Sequence, residues 1–225
     1  MDSVIKKSRQ FLIPISFIFL SVLYVAIFVK SGQLFVADDR TFHIERFEEA
    51  FLSLKSGHWF PYISTFSFLR IGQAINSFYP PFITTIYAII RLIVKSPILA
   101  VYILISLEQF IGLIVAYYAG RKILGNWKQA YLFAIFLRFS SYVIYNDFSR
   151  FDVGESWGMV FLPLSFAGLF MIVAKNSYKK GCLIMALGLT LQTYSHILMS
   201  LMTVGMLFVF YLITMGHSVN HYKIL

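Results

Sequence analysis

The chain has 225 residues, of which 59% are hydrophobic and 13% are charged, with a mean hydropathy of +0.75. A soluble domain carries about twice that charged share, so the composition excludes a soluble globular fold and predicts that lipid covers much of the surface. The net charge of +9 does not indicate nucleic-acid binding, because the basic residues stand in short clusters between apolar runs, as in the loops of membrane proteins. The single cysteine, Cys182, excludes a disulfide framework.

Long apolar runs predict an all-α fold, a polytopic transmembrane helical bundle with about six spans in one module, 1–225. The first run, 11–30, follows a basic N-terminus but precedes no cleavage site, so we expect a retained span in the cell membrane and a cytoplasmic N-terminus. An outer loop, 31–97, separates it from five further spans within 98–215. The six candidate spans are Phe11–Lys30, Ile98–Gly120, Gln129–Tyr145, Trp157–Ala174, Gly181–Ser195 and Ile197–Met215.

The first outer loop begins with an amphipathic segment, 41–56. Its large apolar residues recur at steps of three and four, so they line one face of a helix that we expect to lie along the membrane surface. The charged residues fall away from that apolar face. The apolar residues are Ile44, Phe47, Phe51 and Leu54, and the charged residues are Glu45, Glu48, Glu49 and Lys55.

A second segment of this loop, 81–94, is strongly apolar but short. Fourteen helical residues reach about 21 Å, whereas the hydrocarbon core is about 30 Å thick. If the segment stays on the outer face of the membrane, seven of the eight basic loop residues beyond Pro97 lie on the cytoplasmic side. If the segment spans the membrane, only one of the eight lies on the cytoplasmic side. The excess of basic residues in cytoplasmic loops therefore favours a surface helix. That topology predicts one outer face for eight acids: Asp38, Asp39, Glu45, Glu48, Glu49, Asp147, Asp152 and Glu155.

Two charged residues fall in the middle of predicted spans, Glu108 in the second and Arg138 in the third. A lone charge at that depth costs about 3 kcal/mol on insertion scales. Because the two depths match, we predict a buried ion pair. Such a pair either forms part of a proton or ion path or is a structural link between two helices, which we call a helix clip. The sequence favours the structural link.

The start of the amphipathic segment carries a group of chemically capable side chains. If the helix begins near Asp39, then Asp39, His43 and Arg46 lie on one side at positions i, i+4 and i+7. A carboxylate, an imidazole and a guanidinium at a membrane surface suit a metal or phosphate site. The alternative is a helix N-cap followed by surface charges.

The loop between the third and fourth spans contains Arg150, Asp152 and Glu155. Glu155 precedes a span directly and is held at a fixed depth, so this loop suits the wall of a site. The alternative is a solvated turn with acids at a helix N-terminus, where the helix dipole favours them. His196 reaches the same face between the last two spans, and a histidine at a helix end is more often a hydrogen-bonded structural residue.

Five short motifs stand in an order that resembles the N-terminal half of the GT-C superfamily of membrane glycosyltransferases. Within that superfamily, the chain looks like the bacterial YfhO-like membrane proteins. The matching residues are Asp39-Arg40-Thr41-Phe42-His43 with Arg46, Leu54-Lys55-Ser56-Gly57-His58, Gly72 with Phe78-Tyr79-Pro80-Pro81, Arg150-Phe151-Asp152-Val153-Gly154-Glu155, and Ser195-His196.

Enzymes of this superfamily transfer a sugar from a polyprenyl-phosphate donor to an acceptor on the outer face of the membrane. For this chain the resemblance implies an acceptor of the cell envelope. The resemblance implies that Asp39 and Glu155 are the catalytic acids, with Asp39 acting as a base toward the acceptor or as a metal ligand. A divalent metal is left open, with Asp39 and Glu155 as its candidate ligands. The residues implied in substrate binding are His43, Arg46, Arg150, Asp152 and His196.

Family members are usually longer than this chain. The resemblance therefore also implies a module that is incomplete at its C-terminus, with a further C-terminal half or a partner subunit. The competing hypothesis is a non-enzymatic multi-pass membrane protein, such as a transporter subunit or an assembly partner. In that case Glu108, Arg138 and the outer acids have structural roles only.

Overall fold

The computed structural model describes residues 2–59 and 62–222. Within these residues the regular elements are helices, apart from one isolated bridge between Ser64 and Gln73, so the predicted all-α bundle is confirmed. The helices are α1 (Asp2–Ser31), α2 (Arg40–Lys55), α3 (Phe82–Ile93), α4 (Pro97–Leu124), α5 (Trp127–Arg138), α6 (Ser141–Tyr145), α7 (Val153–Val173), α8 (Tyr178–Ser195) and α9 (Ile197–Tyr222).

Within the described residues, four helices are long and apolar enough to cross a membrane. Few residues of the first and the last are buried inside the bundle, as expected of helices whose apolar side chains face lipid. The chain therefore has the character of a multi-pass membrane protein. The four stretches are Phe11–Ser31, Pro97–Leu124, Val153–Val173 and Ile197–Thr214.

The other two predicted spans differ in detail from the structure. The third, 129–145, is not continuous: α5 ends at Arg138, and Ser140 is extended before α6 begins. Apolar residues on both sides of the break hid it from the hydropathy pattern. The fifth corresponds to α8, an 18-residue helix that carries Lys179 and Lys180 in its first turn.

Helices α1 and α4 lie side by side and run in opposite directions. The Tyr102 hydroxyl near the start of α4 donates to the carbonyl of Gln33, just beyond α1, at 2.5 Å. Nearer the other ends, the rings of Phe17 and Tyr117 lie 6.0 Å apart. The connecting segment therefore leaves and returns at the same end of the bundle. Helix α3 belongs to this segment and, with 12 residues, is shorter than the four candidate spans; its place at the membrane surface stays a prediction.

The two ends of the bundle differ in charge. At the basic end the Lys175 ammonium donates to the carbonyl of Lys122, so the turn after α4 meets the turn after α7. At the opposite end, which we call the loop end (residues 32–59, 62–96, 139–152 and 196), the N–H of Asp38 donates to Ser149 O at 3.1 Å and that of Asp39 to Arg150 O at 2.9 Å. The two acidic loops thus share one end, as predicted.

Helix α2 forms where the periodicity predicts it, but its polar side is not left to solvent. Glu49 is fully buried, and its carboxylate accepts the backbone N–H groups of Thr65, Phe66 and Ser67 at 2.8, 2.9 and 2.6 Å. Glu49 lies off the apolar face, as the periodicity predicts, but it is buried by a second contact on the polar side. The loop after α2 folds back over the polar side, a tertiary contact that periodicity does not report.

Candidate functional site

The loop end brings three parts of the chain together: the start of α2, the turn 146–152 and the α8–α9 turn. The His43 ring lies 5.9 Å from that of Phe151, edge to face. A Cβ built on Gly154 would lie 3.1 Å from Cδ2 of His196, so the two segments approach closely at this glycine. The three segments on which the sequence singled out residues therefore lie next to one another at the loop end.

The turn before α7 has an unusual backbone. Residues Asn146–Arg150 form a π-helical turn, closed by a 2.8 Å hydrogen bond from the Phe151 N–H to the Asn146 carbonyl. Phe151 itself is left-handed, at φ 61° and ψ 40°, a conformation that costs a bulky residue about 1–3 kcal/mol. Strain of this kind and π turns both concentrate at functional sites.

Arg46 is the buried cation of the site, with 5% of its surface exposed. Its Nη1 lies 3.4 Å from His43 Nδ1 and its Nη2 lies 3.5 Å from the Pro80 carbonyl, both long for hydrogen bonds. Its guanidinium stacks 4.8 Å above the Tyr79 ring centre. Nε makes no hydrogen bond within the described part of the chain. The donors of Arg46 are therefore far from saturated.

Electrostatics keep Arg46 charged and His43 neutral. Burial lowers the pKa of Arg46 to about 10, with Tyr79 and Asp152 acting in the opposite direction, so the guanidinium is still a cation near pH 7. Burial and the charges of Arg46 and His196 lower the pKa of His43 to about 3. In neutral His43 the Nδ1 atom facing Arg46 is the acceptor, so Nε2 carries the proton and is a donor.

Arg150 is paired on both sides by the acids that follow it. Its Nη2 lies 3.1 Å from Asp152 Oδ2 and its Nη1 lies 2.8 Å from Glu155 Oε2. Asp152 also caps α7 by accepting the Glu155 N–H at 3.1 Å, so part of the structural alternative for this loop is correct. The charge of Arg150 is thus balanced within the protein, in contrast to that of Arg46.

Both carboxylate oxygens of Glu155 are occupied. Oε1 accepts the Tyr142 hydroxyl at 2.5 Å while Oε2 accepts from Arg150. Tyr142 and Arg150 therefore hold the Glu155 side chain in place. Tyr142 was missed from the sequence because it lies inside the supposed third span.

Asp39 occupies the N-cap position of α2, but its side chain makes no capping hydrogen bond. The N–H of Asp39 is held by the Arg150 carbonyl. Its half-buried carboxylate accepts no hydrogen bond within the described residues. The alternative reading as a helix cap is not observed, and the carboxylate is available to an incoming group.

His196 begins the last helix and has a structural role. Its Nδ1 accepts the Met199 N–H at 3.1 Å, which caps α9. Its ring borders the site through Gly154. Within the described residues, no group of three or more His, Cys, Asp and Glu side chains is arranged to hold a metal. Metal ligation by Asp39 and Glu155 therefore stays a prediction.

The fold and site define a multi-pass, all-helical membrane protein with a polar site at one end of the bundle. Comparison of the chain with protein-family models, with curated proteins and with solved structures gives no match. Its function therefore has to be inferred from the chemistry of the site residues.

Proposed function

We propose that this chain is a module of a bacterial GT-C-type membrane glycosyltransferase. It transfers a sugar from a polyprenyl-phosphate donor to a cell-envelope acceptor on the outer face of the cell membrane. The N-terminus is cytoplasmic, so the loop end faces outward. The supporting observation is Arg46, a buried cation at the loop end whose Nε has no hydrogen-bond partner among the described residues.

The donor phosphate suits Arg46 and His43. A phosphate supplies two negative oxygens, and a guanidinium with unfilled donors binds such a group with charge-assisted hydrogen bonds. The Nε2–H of neutral His43 is a further donor on the neighbouring ring. The stacked Tyr79 keeps the guanidinium in place. Arg150 is less suited to this role because Asp152 and Glu155 already balance its charge.

Asp39 is our candidate for the base, because its side chain makes no capping hydrogen bond. In the proposed reaction the acceptor hydroxyl oxygen forms a bond to the sugar anomeric carbon, and the bond from that carbon to the phosphate oxygen breaks. The hydroxyl proton goes to the Asp39 carboxylate, and Arg46 stabilises the negative charge on the leaving phosphate. Glu155 holds Tyr142 and Arg150 at the wall of the site.

Loss of a cell-envelope glycan tests the proposal, and adjacent acids provide a matched control. In the native host, Asp39→Asn is expected to abolish incorporation of labelled sugar into the glycan, because the base is lost. Asp38→Asn removes an exposed neighbouring acid and is expected to retain incorporation. Membrane abundance of each variant, measured by immunoblot, separates loss of chemistry from loss of protein.

The same assay distinguishes the competing function. If Asp39→Asn and Glu155→Gln leave the glycan intact while Glu108→Gln removes it, the glycosyltransferase proposal fails. The chain is then a non-enzymatic membrane protein, such as a transporter subunit or assembly partner, in which the buried pair carries the function. A C-terminal half or a partner subunit is proposed to complete the acceptor side, so the assay uses cells rather than the isolated chain.

A further inference from the structure

A small cavity lies between α4, the π-helical turn and α7. Its volume is about 10 Å³, enough for a single particle the size of a water molecule. One part of its wall is apolar and the other part is polar. The apolar residues are Leu104, Ile105, Phe151 and Val153, and the polar residues are Glu108, Asn146, Asp147 and Ser156.

Three oxygen atoms of the polar wall are buried without a partner. They are Asn146 Oδ1, Asp147 Oδ1 and Ser156 Oγ, which make no hydrogen bond within the described part of the chain. Their residues are 0%, 4% and 2% exposed. Each unsatisfied buried oxygen costs about 1–3 kcal/mol. Two of the three are acceptors only, so the cavity calls for a donor or a cation.

The charges around the cavity cancel only if one of its two acids is protonated. Glu108 and Asp147 are two carboxylates, whereas Arg138 is the single base, with its Nη2 at 3.0 Å from Glu108 Oε1. Arg138 Nε is occupied by Gln109 Oε1 at 2.8 Å. The second oxygen of Asp147 accepts the neutral hydroxyl of Tyr24 at 2.8 Å. With both acids ionised, this buried cluster lacks one positive charge.

We propose that the cavity binds one Na⁺ ion, with Asn146 Oδ1, Asp147 Oδ1 and Ser156 Oγ as ligands. Hard oxygen ligands suit a hard cation, and a single missing charge calls for a monovalent ion. The small cavity favours Na⁺ over the larger K⁺. Glu108 lies in the same wall and adds negative potential. This proposal does not depend on the glycosyltransferase function.

The ion would act on the loop end through the π-helical turn. Asn146 opens that turn, and the carbonyls of Ser149 and Arg150, which belong to it, hold the N–H groups of Asp38 and Asp39. A ligand that ties Asn146 and Asp147 to Ser156 of α7 therefore stiffens the support of the first acidic loop. Na⁺ is expected to raise the stability of this end of the bundle most.

Thermal unfolding of the purified full chain in detergent tests the proposal. At constant pH and chloride concentration, the Tm is expected to rise with added NaCl and to level off as the site fills. KCl and N-methylglucamine chloride at the same concentrations serve as ionic-strength controls and are expected to give a smaller rise or none. Asp147→Asn is expected to abolish the Na⁺-specific rise, and Asp38→Asn, which removes an exposed acid, is expected to keep it.

Equilibrium binding of radioactive ²²Na⁺ is the second measurement, and we expect one ion per chain. Ser156→Ala removes one neutral ligand and should weaken this binding by about tenfold, which keeps the test usable if Asp147→Asn does not fold. Equal Tm values in Na⁺, K⁺ and N-methylglucamine would overturn the proposal. So would unchanged ²²Na⁺ affinity in Ser156→Ala.

A proton is the competing cation in this cluster. The titratable groups that face Asp147 are Tyr24 from α1, Glu108 from α4 and Arg138 from α5. If the Tm changes with pH but not with Na⁺, a shared proton and a water molecule fill the cavity instead, and the Na⁺ proposal is wrong.

Discussion

Among the described side chains, two arginines are almost completely buried, and they differ in their partners. Arg138, with 1% exposed surface, bonds Glu108 at 3.0 Å and Gln109 at 2.8 Å, and its Nη1 has no partner among the described residues. Arg46, with 5% exposed surface, has two long contacts, a stacked tyrosine and an Nε with no partner among the described residues. Arg138 lies within the bundle and Arg46 at its loop end.

The difference indicates different roles. A buried charge is tolerated when an opposite charge and hydrogen bonds compensate for its lost hydration. Arg138 has that compensation, which fits the helix clip predicted from the sequence. Arg46 has little such compensation, so its burial lowers the free energy of unfolding. A bound anion would offset this loss of stability. The predictions below test this contrast, from the largest expected effect to the smallest.

Removal of the Glu108 carboxylate should have the largest effect on stability. Glu108→Ala removes the carboxylate that Arg138 bonds directly, which leaves only the more distant Asp147 as a counter-charge, and is expected to cost about 3–5 kcal/mol in the free energy of unfolding. Replacing both residues by leucine should recover most of that loss. Denaturant unfolding in detergent measures both variants. Equal stability of Glu108→Ala and the wild type would show that the pair is not a helix clip.

The pH dependence of stability should report on His43, the neighbour of Arg46. Its pKa is lowered from 6.5 to about 3. Between pH 6.5 and 3, His43 is therefore protonated in the unfolded chain but neutral in the folded chain. Its contribution to stability is therefore present above pH 6.5 and is lost as the pH falls from 6.5 toward 3. His43→Gln should flatten this part of a plot of Tm against pH. An identical acid slope in the variant contradicts the neutral, buried imidazole.

Replacement of Arg46 should have the smallest effect on stability. Arg46→Met removes a poorly compensated charge and keeps a long apolar side chain against Tyr79. We expect its free energy of unfolding to lie within about 1 kcal/mol of the wild type or above it. Denaturant unfolding measures it beside the Glu108 variants. A loss as large as that of Glu108→Ala would remove the contrast between the two arginines.

The sequence predicted those features that depend on a single segment, or on two residues that lie at the same depth in their predicted spans. The long apolar runs gave four helices capable of spanning a membrane, and the matched depths of Glu108 and Arg138 predicted their ion pair, which is confirmed. Counting basic residues predicted that the segment containing α3 does not cross the bundle. The placement of His43, Arg46 and Arg150 at one end followed from the same topology.

Features that depend on tertiary contacts were not predicted. The break between α5 and α6 lies within an apolar stretch, so hydropathy could not reveal it. For the same reason Tyr142 was not recognised as a residue that contacts Glu155. The burial of Glu49 depends on a loop that folds back to supply N–H donors. The left-handed backbone of Phe151 has no signal in its sequence, since such a conformation is usually marked by glycine.

Binding of undecaprenyl phosphate tests the role of Arg46 most directly. The purified chain in detergent is titrated with undecaprenyl phosphate and with undecaprenol, which lacks the phosphate. We predict that the wild type prefers the phosphate and that Arg46→Met loses this preference, by about tenfold or more, since a charge-assisted hydrogen bond contributes about 1.5–3 kcal/mol. Arg70→Gln, which removes an exposed arginine at the same end, should keep it. Equal affinity of the wild type for the two lipids, or an unchanged preference in Arg46→Met, would contradict the account.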